Sequence, residues 1–80
     1  MIVSIELSYY PLQEAYGPVV GELLARLRER PGLQVAPGGM STLIVGEYET
    51  AFAALREEIL YFMERHPSVF AIKISNCCPA

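Results

Sequence analysis

Apolar and polar residues alternate from Ile2 to Tyr9: Val3, Ile5, Leu7 and Tyr9 share one face, and Ser4, Glu6 and Ser8 share the other. A period of two predicts a half-buried strand, which Pro11 stops. The period then changes. Val20, Leu23, Leu24 and Leu27 recur at helical spacing, with Arg26, Arg28, Glu29 and Arg30 expected to face outward. Pro18 suits a first helical turn, where its missing N–H is not needed, so the helix is expected to begin near Tyr16 or Gly17. Pro31 and Gly32 end it, and a short strand follows from Leu33 to Ala36. The turn at Pro37, Gly38 and Gly39 makes "GGMSTLIVGE", Gly38 to Glu47, the second arm of a hairpin. Phe52, Leu55, Ile59, Phe62 and Met63 then form one stripe of a second helix, from about Glu49 to Arg65, closed by Pro67. In the final "SVFAIKIS", Phe70, Ile72 and Ile74 alternate against Ala71, Lys73 and Ser75.

The predicted order is strand, helix, strand, strand, helix, strand. The halves echo one another, since "RERPGLQV" and "MERHPSVF" both carry a basic helix end into a proline and then a strand. Two βαβ units with right-handed crossovers give an α+β, ferredoxin-like βαββαβ sandwich: a four-stranded antiparallel sheet with two helices on one face. The other sheet face is left open. Because Val3, Ile5 and Leu7 must meet the helices, Ser4, Glu6 and Ser8 point to that open face, joined by Ala71, Lys73 and Ser75. A charge at Glu47 would be costly under the helices, so Thr42, Ile44 and Gly46 are expected to point inward, Gly46 allowing a helix to approach closely. Ser41, Leu43, Val45 and Glu47 then point out. The open face would carry Leu43 and Val45 at its middle with serines, Glu6, Lys73 and Glu47 around them, and Tyr9, Tyr10 and Tyr48 near the rim. An apolar centre in a polar surround is the pattern of a binding surface, and here the expected cover is a second subunit.

Size and composition sharpen this. Eighty residues make one domain, spanning 1–80. A chain of that size buries only about 60 to 65% of its unfolded surface, so a deep private cavity is not expected and a pocket would be shared between chains. The chain is 52% apolar with 19% charged residues, too hydrophobic for disorder and high for a lone small domain. Its net charge is −3 and its six basic residues form no patch, which argues against nucleic acid. No apolar run approaches the roughly 20 residues of a membrane span, and "MIVSIELSYY" lacks the basic start and cleavage site of a signal peptide, so no membrane partner and a cytoplasmic location are expected. Cys77 and Cys78 are adjacent and the chain has a single histidine, so no metal cluster and no cofactor are expected, and the cysteine pair reads as reduced.

The stretches "GGMSTLIVGEYE", "IELSYYPL" and "HPSVFAIKISN" resemble the YkoF-like family of thiamine- and hydroxymethylpyrimidine-binding domains over nearly the whole chain. The resemblance implies a ferredoxin-like domain that binds the pyrimidine of thiamine without transforming it and assembles through its sheets into a homodimer or homotetramer. Larger relatives carry two such domains, so two identical subunits would supply here what one chain supplies there. The family's strand motif falls on Met40, Ser41, Thr42, Gly46 and Glu47, and its first-strand segment on Ser8 and Tyr10. An aminopyrimidine accepts hydrogen bonds at its ring nitrogens and donates them from its amine. It needs a hydroxyl donor such as Ser41 and a carboxylate acceptor, Glu47 or Glu6, with Tyr10 or Tyr48 to stack on the ring.

Plainer roles stand beside these. Ser41 and Thr42 can satisfy local backbone groups, Glu47 can sit at a helix start where negative charge is favoured, and Glu6 and Lys73 can form only a cross-strand ion pair. His66 suits a helix C-terminus rather than a catalytic base, and Met40 and Met63 read as packing residues. An oligomerisation module without a ligand is the alternative to a vitamin-binding domain. An enzyme is disfavoured because no nucleophile has an adjacent base.

Overall fold

The computed structural model describes residues 1–77 and has the predicted order: β1 (Ile2–Pro11), α1 (Tyr16–Arg28), β2 (Leu33–Pro37), β3 (Thr42–Glu47), α2 (Tyr48–Arg65) and β4 (Ser68–Ser75). The four strands form one antiparallel sheet in the order β2-β3-β1-β4. Cys78 lies outside the described residues, and Cys77 is exposed and free.

β1 and β3 form the centre, with Ile5 opposite Ile44, Glu6 opposite Leu43 and Ser4 opposite Val45. Directly opposed residues on antiparallel strands point to the same side, so this register sends Val3, Ile5, Leu7 and Ile44 together under the helices. All four are buried there against Leu23 and Leu27 of α1 and Leu55 and Phe62 of α2. Burying each large side chain is worth about 1.5 to 3 kcal/mol. Pro11 does not stop β1 but ends it from within, opposite Ser68, and the Leu12 N–H donates to the Pro67 carbonyl at 2.8 Å just beyond. A terminal proline forfeits a single donor, which a strand end tolerates.

The buried stripes differ in detail from their predicted composition. In α1 the buried residues are Val19, Leu23 and Leu27; Val20 and Leu24 are half-buried. In α2 they are Ala51, Ala54, Leu55, Glu58 and Phe62, while Phe52 and Met63 lie on an exposed flank. Alanines at 51 and 54 let α2 approach closely, which turns the bulkier Phe52 and Met63 away from the core.

Arg26 and Arg30 do not point freely into water, as their spacing suggested, but lie half-buried over Glu58, whose residue surface is only 2% exposed. Arg26 Nε donates to one carboxylate oxygen of Glu58; Arg30 donates to the other through Nε at 3.1 Å and Nη2 at 2.6 Å. Arg30 also reaches Glu57 at 2.6 Å, and Arg26 and Arg65 sandwich the Tyr61 ring. A buried carboxylate is tolerable because three N–H groups satisfy it. Burial pushes the Glu58 carboxyl up, but the hydrogen bonds and charges of Arg26 and Arg30 outweigh it and hold the carboxyl below its ordinary value.

Gly46 does face inward, but what approaches it is β2 rather than a helix. A Cβ there would lie 2.7 Å from Leu33 Cδ2 and 3.0 Å from the Gly32 carbonyl oxygen. Gly32 itself has φ of +83°, the left-handed conformation that lets the chain turn from α1 into β2.

Two outcomes follow. Gly46→Ala, which crowds the Leu33 side chain and the Gly32 carbonyl just before β2, lowers the unfolding free energy in urea by about 1 to 3 kcal/mol. Glu58→Gln keeps the shape but takes the paired carboxylate from Arg26 and leaves Arg30 with Glu57 alone, and costs ~2 kcal/mol at neutral pH because both arginines keep a wet side. Since the folded carboxyl titrates below the unfolded value of about 4.3, its stabilisation is present above that pH and is lost as pH falls through the folded value. Denaturation midpoints measured against pH should therefore fall less steeply on the acid side for Glu58→Gln than for the unsubstituted chain.

Candidate functional site

The sheet's open face is bare among the described residues, and its strand register orders it into rows. Gln34, Val45, Ser4 and Ser75 lie side by side across the four strands; Ala36, Leu43, Glu6 and Lys73 form the next row. Leu43 and Val45 therefore sit near the middle with polar neighbours, as their alternation predicted, and Leu43 is exposed while Val45 is half-buried. Gln34 and Ala36 belong to this face too. Their strand is too short for alternation alone to orient it, and its pairing with β3 decides the matter.

The candidate residues separate into three places. Ser8, Ser41 and Thr42 gather at the hairpin end, where Ser8 Oγ donates to the Met40 carbonyl at 3.5 Å and the Gly38 N–H donates to the Ser41 carbonyl at 2.8 Å, closing the loop. Between this loop and α1 lies a recess of about 190 Å³, lined by Ser8, Ser41, Thr42 and Leu7 on the sheet side and by Val20 and Leu24 on the helix side. Glu6 and Lys73 occupy the middle of the open face, their charges 3.8 Å apart and both exposed. Such a pair contributes a few tenths of a kcal/mol at most. Tyr10 is on the same face beyond Ser8 and is also exposed.

Glu47 and Tyr48 stand at the opposite end. Thr42 is opposite Leu7 and Glu47 is opposite Ile2, so the length of β3, ~17 to 20 Å at about 3.3 Å per residue, separates Glu47 from Ser41. Glu47 caps α2: its carboxylate accepts the Glu49 N–H at 2.9 Å and lies 3.6 Å from the amino group of Met1. Tyr48 packs its ring near Phe52, at 4.8 Å between centroids. One subunit thus does not bring the two ends of the strand motif to one ligand.

Two further side chains differ from their expected roles. Tyr9 is not at a rim but stacks on Phe70 at 4.3 Å between centroids. The Ser68 hydroxyl donates to the His66 carbonyl at 2.9 Å, so the Tyr9 phenol, 2.9 Å away, donates to Ser68. Met40 is 93% exposed on the hairpin and packs against nothing. His66 ends α2 as expected, and its Nδ1 lies 2.8 Å from Gln13 Oε1, the amide oxygen that it donates to. A group that the alternation placed but did not single out is Ser4, whose Oγ is buried on the open side without a hydrogen-bond partner among the described residues. Only a tertiary contact map shows that Val45 and Ser75 flank it.

Among the described residues no cluster of three or more His, Cys, Asp or Glu side chains could hold a metal ion, and no helix is long and apolar enough to cross a membrane.

No protein-family model matches the chain, and no curated protein matches it. Solved structures do. A protein of Streptococcus pneumoniae shares 20% identity with a TM-score of 0.87, over 99% of this chain and 90% of that one. A domain of unknown function, DUF77, from Bacillus cereus is 18% identical with a TM-score of 0.75, over 94% and 75% of the two chains. A protein of Thermotoga maritima named a putative thiamine biosynthesis/salvage protein is 20% identical with a TM-score of 0.70, over 94% and 83%. At these identities the likeness shows the fold alone.

Glu47→Ala removes the α2 cap: thermal unfolding should show a loss of about 0.5 to 1 kcal/mol.

Proposed function

We propose that this domain binds thiamine or its hydroxymethylpyrimidine precursor without transforming it, at the hairpin end of the sheet, with the pyrimidine in the recess between the hairpin loop and α1 and the rest of the ligand on the open sheet face, in a pocket that a second subunit completes. The observation that carries this reading is the gathering of the Ser8 and Ser41 hydroxyls and the Met40 carbonyl beside a recess of about 190 Å³. A cavity of ~150 Å³ accepts benzene, so this recess has room for one substituted six-membered ring but not for a two-ring vitamin. The remainder of thiamine would lie out on the sheet, over Tyr10 and Glu6.

The chemistry divides accordingly. The Ser41 hydroxyl donates to a ring nitrogen, and the Ser8 oxygen and the Met40 carbonyl accept from an exocyclic amine. Glu6, two residues from Ser8 on the same strand face and so ~7 Å along it, is the nearby carboxylate for a cationic thiazolium, rather than Glu47. Tyr10 supplies a stacking ring worth about 0.5 to 1.5 kcal/mol. The likeness of the Met-Ser-Thr strand to the YkoF-like family supports the ligand class, as does the name carried by the Thermotoga structure. The unpartnered Ser4 hydroxyl and the exposure of Leu43 support a covered face. The same two observations also favour the second reading, an oligomerisation module without a ligand.

Titration calorimetry with thiamine and with hydroxymethylpyrimidine separates the two. Saturable heat is expected with at least one of them. Ser41→Ala should weaken it about tenfold, the worth of one neutral hydrogen bond, while Glu47→Ala leaves it unchanged. Absence of heat with both ligands, in a sample that sedimentation shows to be assembled, overturns the binding reading in favour of the module.

A further inference from the structure

Two concavities flank the helix side of the sheet. Between α2 and β4 a groove of about 410 Å³ runs past Tyr48, Phe52 and Ile74; α2 overhangs the strand without covering it, and Ile72 and Ile74 are 43% and 45% exposed. The recess at the hairpin end is different, because its two walls differ in chemistry. The sheet side presents the hydroxyls of Ser8, Ser41 and Thr42, and the α1 side presents Val20, Leu23 and Leu24. Val20 and Leu24 are four residues apart, so they stand one above the other on the helix, and both are half-buried. The backbone N–H and C=O groups at these positions are committed to the helix. The α1 wall therefore offers a ligand no hydrogen bond.

A flat ring in this recess has one orientation that suits both walls. The 4-amine of hydroxymethylpyrimidine meets the Ser8 oxygen and the Met40 carbonyl, and the arm at ring carbon 5, which in thiamine leads to the thiazolium, leaves toward the open face. Carbon 2 is para to carbon 5. Its methyl group therefore points the opposite way, at Val20 and Leu24.

We propose that Val20 and Leu24 select the ligand at ring carbon 2, accepting an alkyl group there and refusing a carbonyl. This selection rests on the pyrimidine lying in the recess, and it separates 2-methylpyrimidines from the 2-oxo pyrimidines of the cytosine class. 5-Hydroxymethylcytosine carries the same amine and the same arm, which alone do not distinguish it from hydroxymethylpyrimidine. The difference falls on the α1 wall. A methyl group there is buried against aliphatic carbon, whereas a carbonyl oxygen gives up its water and finds no donor.

Titration calorimetry on the full chain compares hydroxymethylpyrimidine, its analogue without the 2-methyl group, and 5-hydroxymethylcytosine. Loss of the methyl should weaken binding about fourfold, the worth of one buried carbon. 5-Hydroxymethylcytosine should bind at least about tenfold more weakly than hydroxymethylpyrimidine, the cost of one unsatisfied acceptor. Because that base also carries a proton at N1, variants assign the effect to α1. Leu24→Gln keeps a good helix former of similar length and adds an amide donor, so it should narrow the gap between these two ligands at least about fivefold. Val20→Thr should move the gap in the same direction, and it reports should Leu24→Gln misfold. Equal binding of the two ligands, or a gap that neither variant moves, overturns the selection and leaves the binding reading standing. Absence of heat from all three compounds overturns both.

Discussion

The register between β1 and β3 is the constraint on which the remaining structure rests. Ile5 opposite Ile44 sets the parity of the whole sheet. Because side chains alternate with a period of two, a slip of one residue would carry Val3, Ile5 and Leu7 out to water and bring Ser4, Glu6 and Ser8 under the helices. The apolar gain of one face and the desolvation cost of the other act in the same direction, so this register has no close competitor. Every functional consequence follows from that choice: the open face carries Leu43, Val45, Ser8 and Glu6 because the covered face carries their neighbours.

The helix layer solves a different problem. Leucines and a phenylalanine supply its burial, but the join between α1 and α2 is made by Glu58 held between Arg26 and Arg30. An apolar pair of similar volume would be about as stable, so the charged join contributes direction rather than bulk. It ties the α1 end to the middle of α2, and the opposite flank of α2 is left over β4, unfilled. The clamp on one side and the bare groove on the other are two results of one placement.

The candidate site was legible in part. Ser8, Ser41 and Thr42 do come together, since a hairpin returns the chain beside β1. Glu47 shares the open face and the strand motif with Ser41, but a strand is extended, and six residues along it span the sheet rather than a pocket. The motif's two ends therefore do different work, one lining a recess and the other capping a helix. Tyr9 was misplaced for a related reason: a phenol looks like a rim residue until the Ser68 hydroxyl is found beneath it.

The sequence by itself determined the element order, the hairpin and the faces of β1, β3 and β4. Each of these depends on a local periodicity or on a proline or glycine that acts within a few residues. Tertiary structure decided what no local rule contains: that two outward-looking arginines turn in to a glutamate some thirty residues away, that β2 and not a helix crowds Gly46, and that Ile72 and Ile74 lie on the covered side yet stay wet. The physical reason is that alternation specifies a direction for a side chain, while burial depends on whether another element stands in that direction, and only the packed molecule holds that information.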